Sequence, residues 1–231
     1  MKKLLMLLLL PQLLQAETII LTRKNTVNFR GPMMQGFTQS LIDDLAAKRE
    51  ALPADKTIYI VQESPGGYVH EAVMAAKAVA GFRNVKIIAV ASASASAFFL
   101  QMQPHERLIT YDGHLMFHQI MIVICDMVNA TQLAYMYNRI VKESKPLYLL
   151  QARRMKKPLA WFMKKLQHTW VPGAAESVKE GAVDRAVDVG CDQDLSSHSE
   201  KIRVCEDPDN CYVQTWSDCP LLGQPLSVEK E

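Results

Sequence analysis

The sequence predicts an α/β domain in which a parallel sheet is flanked by helices. Three observations carry that expectation. Segments of strand type and helix type alternate between residues 18 and 167, the succession that builds parallel sheets. The strand-type segments are short, apolar and rich in β-branched residues, as strands buried on both faces are. The chain has 231 residues and is 49% hydrophobic, 22% charged and 7% aromatic. That is enough to close one core, too apolar for a disordered chain and too irregular for a coiled coil.

Taken in order, Thr18 to Thr22 reads as a strand. Residues 34–48 read as an amphipathic helix with Phe37, Leu41, Ile42 and Leu45 on one face. Thr57 to Gln62 (TIYIVQ) is a strand, Ser64 to Gly67 a turn, and Tyr68 to Ala80 a helix. Val85 to Ala91 is a buried strand and Ala95 to Gln103 a helix. Leu108 to Tyr111 and Leu115 to Phe117 read as two short strands. Helices are expected from about Thr131 to Arg154 and from Pro158 to Gln167. No repeat of solenoid period and no low-complexity linker interrupts the succession.

The two ends differ from this pattern. Residues 1–16 (MKKLLMLLLLPQLLQA) combine Lys2 and Lys3, an apolar run from Leu4 to Leu10, and a small residue, Ala16. That is the layout of an export signal, followed by the main domain at 17–187. Leu14 is not the preferred small residue before such a cut, so an uncleaved anchor is the alternative. Localisation is therefore expected to be periplasmic or secreted. From about Val187 the chain turns polar and cysteine-rich, and 188–231 reads as a stapled tail packed on the domain. Cys191, Cys205, Cys211 and Cys219 allow three pairings, and two disulfides suit an oxidising compartment. Without a CxxC pair, zinc is the weaker reading. Cys125 lies in an apolar stretch and is expected as a buried free thiol. The chain carries 26 basic and 24 acidic residues, a balance that leaves no electrostatic footprint for nucleic acid.

Three segments carry chemistry. In QESPGGYVHEAV, Pro65 stiffens a turn, and Gly66 and Gly67 precede a helix whose first amides can face an anion or a developing oxyanion. In AVASASASAFFL, Ser92, Ser94 and Ser96 alternate with alanines where a strand runs into a helix. A serine hydroxyl there needs a base to become a nucleophile. In GHLMFHQ, His118 ends a short strand where it could face the same cleft. His70 could border that cleft too, whereas His105, His114 and His198 lie in polar, exposed-looking surroundings.

In this order, the segments resemble the ClpP family of serine peptidases, within the ClpP/crotonase superfamily. SPGG at 64–67 is similar to the family's oxyanion turn, ASASAFFL at 93–100 to its nucleophile segment, MFHQ at 116–119 to its base segment and EGAVD at 180–184 to its closing motif. The register selects Ser94 among the three serines, with His118 following after 24 residues. The resemblance covers about residues 18–187. It implies a fold of repeated β-β-α units and no cofactor or metal. It also implies peptide hydrolysis through an acyl-enzyme, with Ser94 as nucleophile, His118 as general base, and the amides of Gly67 and Ala95 as oxyanion hole. The expected partners are a peptide or unfolded protein substrate and further copies of the chain. Outside the cytoplasm the enzyme would work without ATP.

The departures sharpen the expectation. Counting twelve back from Gly181, where the family has its aspartate, reaches Thr169. A threonine can orient an imidazole but not stabilise its charge, and loss of a triad acid costs up to about 10⁴ in turnover. Asp126 is a substitute candidate, and Asp184 matches a structural position. After His118 the family's polar, glycine-containing handle is replaced by IMIVICDM, an apolar ridge suited to another interface or to a membrane surface. Two alternatives follow: a catalytically weak or inactive assembly or binding protein, and a serine–lysine dyad using Lys142 or Lys145, as in signal-peptide-peptidase relatives.

Overall fold

The computed structural model describes residues 18–207, 210–222 and 225–230. The expected export signal lies outside them. Six strands form one sheet: β1 (Thr18–Leu21), β2 (Thr26–Arg30), β3 (Ile58–Ser64), β4 (Val85–Ala93), β5 (Glu106–Met116) and β6 (Arg185–Cys191). Their order is β1-β6-β5-β4-β3-β2, and every neighbouring pair is parallel. Side chains alternate across the sheet, so β4 sends Ile87 and Ala89 to one core and Ile88 to another. The larger core is closed by α1 (Phe37–Ala51), α2 (Val69–Val79), α3 (Ala95–Met102), α4 (Ala130–Arg154), α5 (Leu159–Leu166) and α6 (Ala174–Lys179). The smaller one lies under α7 (Gln193–Ser197) and the segment around Cys219. The chain is an α/β fold with a parallel sheet flanked by helices, as the alternation predicts.

Strand β2 has no counterpart in the sequence reading, because Asn28 and Arg30 interrupt its apolar pattern. The interruption has a purpose in the fold. Val27 and Phe29 enter the larger core, while Asn28 and Arg30 face the tail. Asn28 donates to the Asp218 carbonyl at 3.0 Å, and Arg30 stacks on Trp216 at 4.5 Å and pairs with Glu63. The tail itself is an antiparallel sheet of β7 (Ser199–Asp207), β8 (Asn210–Ser217) and β9 (Ser227–Lys230), in the order β7-β8-β9. A disulfide joins Cys191, at the end of β6, to Cys219. Closing that 28-residue separation is worth about 3.6 kcal/mol by chain entropy. Cys211 is disulfide-bonded as well, and its ladder partner across the hairpin is Cys205.

Other elements depart from the sequence reading in instructive ways. Leu108 to Phe117 is not two strands, since β5 runs unbroken through Asp112 and Gly113. Gly113 fits because a Cβ would lie 2.7 Å from the Ile109 side chain. Cys125 is exposed, not buried, because residues 121–129 form no helix or strand and are mostly exposed. His105 is half-buried rather than exposed, with Nε2 at 3.1 Å from the Val79 carbonyl.

Helix α1 begins three residues later than its apolar spacing suggests, and a carboxylate explains why. Gly36 takes a left-handed conformation (φ 87°) before the first turn, and Glu71 of α2 reaches across to that turn. The Glu71 carboxylate accepts from the Gly36 amide (3.2 Å), the Thr38 amide (3.1 Å) and the Thr38 hydroxyl (2.6 Å). It therefore caps a helix other than its own. The Thr38 hydroxyl is the main influence holding the Glu71 carboxyl below the ordinary glutamate value, against burial that acts the other way. Glu71→Ala is expected to lower stability by about 2 kcal/mol in urea denaturation at neutral pH. A carboxyl with a depressed native pKa contributes fully above its unfolded value and loses that contribution as pH falls through the native one. The gap between wild type and variant should thus close in acid; a gap that widens there would contradict the capping role.

Candidate active site

Strand β4 ends at Ala93 and α3 starts at Ala95, leaving Ser94 alone to turn the chain. Its backbone sits at φ 56°, ψ −119°, a region unfavourable for a residue with a side chain. Two hydrogen bonds hold it there: its amide donates to the Met116 carbonyl at 2.8 Å, and its carbonyl accepts from the Phe98 amide at 3.1 Å. The half-buried hydroxyl has no hydrogen-bond partner among the described residues. Ser92 and Ser96 have a different fate. Both are fully buried, their hydroxyls 2.9 Å apart, and Ser96 Oγ lies 2.9 Å from the carbonyls of Ser64 and Ala93. Gln62 adds a bond to the Ser96 carbonyl at 2.8 Å. These serines stitch the end of β3 to the start of α3, and Ser94 is the one left facing a cleft.

The two glycines are demanded by proximity. A Cβ on Gly66 would lie 2.6 Å from the Ala93 carbonyl oxygen, 2.7 Å from Ser94 Cβ and 2.8 Å from the Ala95 nitrogen. A Cβ on Gly67 would lie 2.5 Å from the Met33 carbonyl oxygen. Residues 32–34 pass alongside the turn: Met33 donates to the Gly66 carbonyl and accepts from the Tyr68 amide. Nothing in the composition around Met33 signals this support. The amides of Gly67 and Ala95 donate to no acceptor among the described residues. Ala95 opens α3, so its amide carries the positive end of the helix dipole.

His118 follows β5 and is half-buried. Its Nδ1 lies 2.5 Å from the carbonyl of Gln119. A carbonyl only accepts, so this contact places the proton on Nδ1 and leaves Nε2 as the basic nitrogen. The group beside Nδ1 is thus neither a hydroxyl nor a carboxylate. Thr169 is a backbone neighbour, because an antiparallel bridge pairs Phe117 with Trp170 through two bonds of 2.8 Å. Its exposed side chain makes no hydrogen bond to the imidazole, and its own backbone is left-handed (φ 46°).

Ser94, Ala95, Gly67 and His118 line one cleft of about 600 Å³ including its mouth. Its walls are mostly apolar: Val69, Phe98, Phe117, Ile120, Leu147 and Leu166. Thr169, Asp126, Lys142 and Lys145 do not line it. Asp126 accepts from the Met127 amide in the exposed loop, and both lysines are exposed on α4. His70 lies outside the lining too, stacked on Tyr68. His114 and His198 are exposed. Asp184 pairs with buried Arg107 at 2.6 Å; burial pushes its carboxyl up, but the side-chain and backbone hydrogen bonds from Arg107, with the charges of Arg107 and Arg154, together hold it below its ordinary value. The pair ties β5 to the start of β6, a structural task. Sequence reasoning missed Tyr148 and Gln151, which α4 turns into the cleft. Ser144, Tyr148, Gln151 and Ala152 form the buried stripe of that helix, so helical spacing was the available signal.

Compared with known families, residues 14–189 match the model described as Clp protease. No curated protein matches the chain.

Gly66→Ala is expected to separate the two turns, since the added carbon collides with backbone on the nucleophile side at φ +92°. The measurable outcome is loss of at least about 2 kcal/mol in stability, read by urea denaturation. A variant as stable as wild type would contradict this packing.

Proposed function

Since this chain belongs to the Clp protease family, we propose that it is a serine peptidase cleaving peptides or unfolded proteins through an acyl-enzyme on Ser94. One observation carries the reading: the strained Ser94 turn opens on a cleft that also holds His118 and two unengaged amides. In the reaction, Nε2 of His118 takes the hydroxyl proton as Oγ bonds to the scissile carbonyl carbon. The carbonyl oxygen gathers negative charge against the Gly67 and Ala95 amides. The imidazolium then protonates the leaving amine as the C–N bond breaks, and water repeats the sequence to release the acyl group.

The Gln119 carbonyl supports a base that is oriented but not charge-stabilised. It fixes the tautomer, which is half of what a triad carboxylate does. Turnover is therefore slow in this reading. That no carboxylate among the described residues is hydrogen-bonded to His118 favours the second reading, a Clp-type assembly or binding protein without useful catalysis. A lysine base has less support, because the two lysines lie outside the cleft.

Export and self-assembly complete the proposal. The leader motif and the disulfide suit an oxidising compartment, where no ATP is at hand and only short or loose chains are cleaved. The loop after His118 supports contact with other copies or with a membrane surface: Val123 is 87% exposed and Met127 96%. Among the described residues no helix is long and apolar enough to cross a membrane.

A fluorophosphonate probe should label wild type and not Ser94→Ala; labelling that survives the substitution removes Ser94 from its role. Thr169→Asp should raise kcat by about tenfold or more, since a full triad acid is worth up to about 10⁴. No gain in a folded variant, with wild type inert, would favour the non-catalytic reading. Amino-terminal sequencing of the mature protein should begin at Glu17, and light scattering should give a mass above that of a monomer. An intact leader or a lone monomer would refute the corresponding statement.

A further inference from the structure

Beneath the reactive groups, the cleft is built for a side chain. Phe98, Phe117 and Leu166 are all buried and present an apolar wall. Gln151 interrupts that wall. It is only 6% exposed, yet its side-chain amide makes no hydrogen bond to any described residue. Nor is it one of the polar groups sealed from solvent, so the amide opens onto the cleft it lines. Tyr148, beside it on α4, accepts the Ile120 amide at 2.7 Å and keeps its own hydroxyl proton to donate. No aspartate, glutamate, lysine or arginine lines the cleft.

From the buried, unpartnered amide of Gln151 in an otherwise apolar pocket, we propose that Gln151 selects substrates whose residue on the acyl side of the scissile bond is long and ends in an uncharged hydrogen-bonding group, glutamine above all. This rests on the peptidase reading. The stem of such a side chain lies on the aromatic wall, and its terminal amide exchanges a donor and an acceptor with Gln151. A methionine or leucine fills the space but leaves the Gln151 amide dry and unpaired, which selects against it. A glutamate or lysine buries a charge with no counter-charge.

The test uses the mature protein and peptides differing only at that residue: glutamine, methionine, leucine, glutamate and lysine. Peptidyl diphenyl phosphonates with the same side chains give a second readout, the rate of covalent labelling at Ser94. Wild type should prefer glutamine over methionine by about tenfold or more in kcat/KM and in labelling. Gln151→Met, close in shape, should abolish or reverse that ratio, and Gln151→Asn, which keeps an amide, should retain part of it. A wild-type preference for methionine or leucine, or an unchanged ratio in folded Gln151→Met, overturns the inference while leaving the peptidase reading intact. Failure of every phosphonate to label Ser94 overturns both.

Discussion

Everything at the site depends on two backbone turns touching. The Gly66 turn at the end of β3 and the Ser94 turn at the end of β4 approach so closely that no side-chain carbon fits between them. Parallel pairing brings the two strand ends level, with Ser64 beside Ser92. Buried hydroxyls of Ser92 and Ser96 and the amide of Gln62 then fasten one turn to the other. The strain at Ser94 is sustained because its neighbours leave it no other conformation. The alternating serines thus divide between lacing the two turns and facing the cleft according to which way the chain turns each one.

His118 is held differently. It lies two residues beyond Met116, the last register position of β5, and takes its tautomer from the next residue's carbonyl. That is a local and compact solution. It supplies direction without charge, and it leaves Thr169 alongside on the bridged segment with no bond to the ring.

The parallel sheet, the strand-to-helix turn at Ser94 and most helices were legible in the sequence, because they rest on local periodicity and on motifs with tight spacing. What was not legible depended on distant partners. β2 reads poorly because Arg30 and Asn28 are polar, and only the folded tail gives them a role. The start of α1 is set by a carboxylate on another helix. The antiparallel tail was hidden by its polar composition, and the burial of Cys125 was misread because an apolar run does not by itself show what covers it. Tyr148 and Gln151 are hard to single out in the sequence because only four residues of the 25-residue α4 are buried, and which of its faces meets the cleft is set by distant elements.

The cystine between positions 191 and 219 has a consequence for how the molecule matures. It pins the tail over the sheet face formed by Ile88, Leu108 and Val187. A reduced chain would hold that cover through weaker links alone, among them the Asn28, Arg30 and Arg23 contacts and the packing of Leu195 and Leu221, leaving a greasy surface more often bare to neighbouring molecules. Thiol oxidation is then coupled to solubility, and the redox state of its surroundings becomes a checkpoint on whether newly made protein accumulates or clumps.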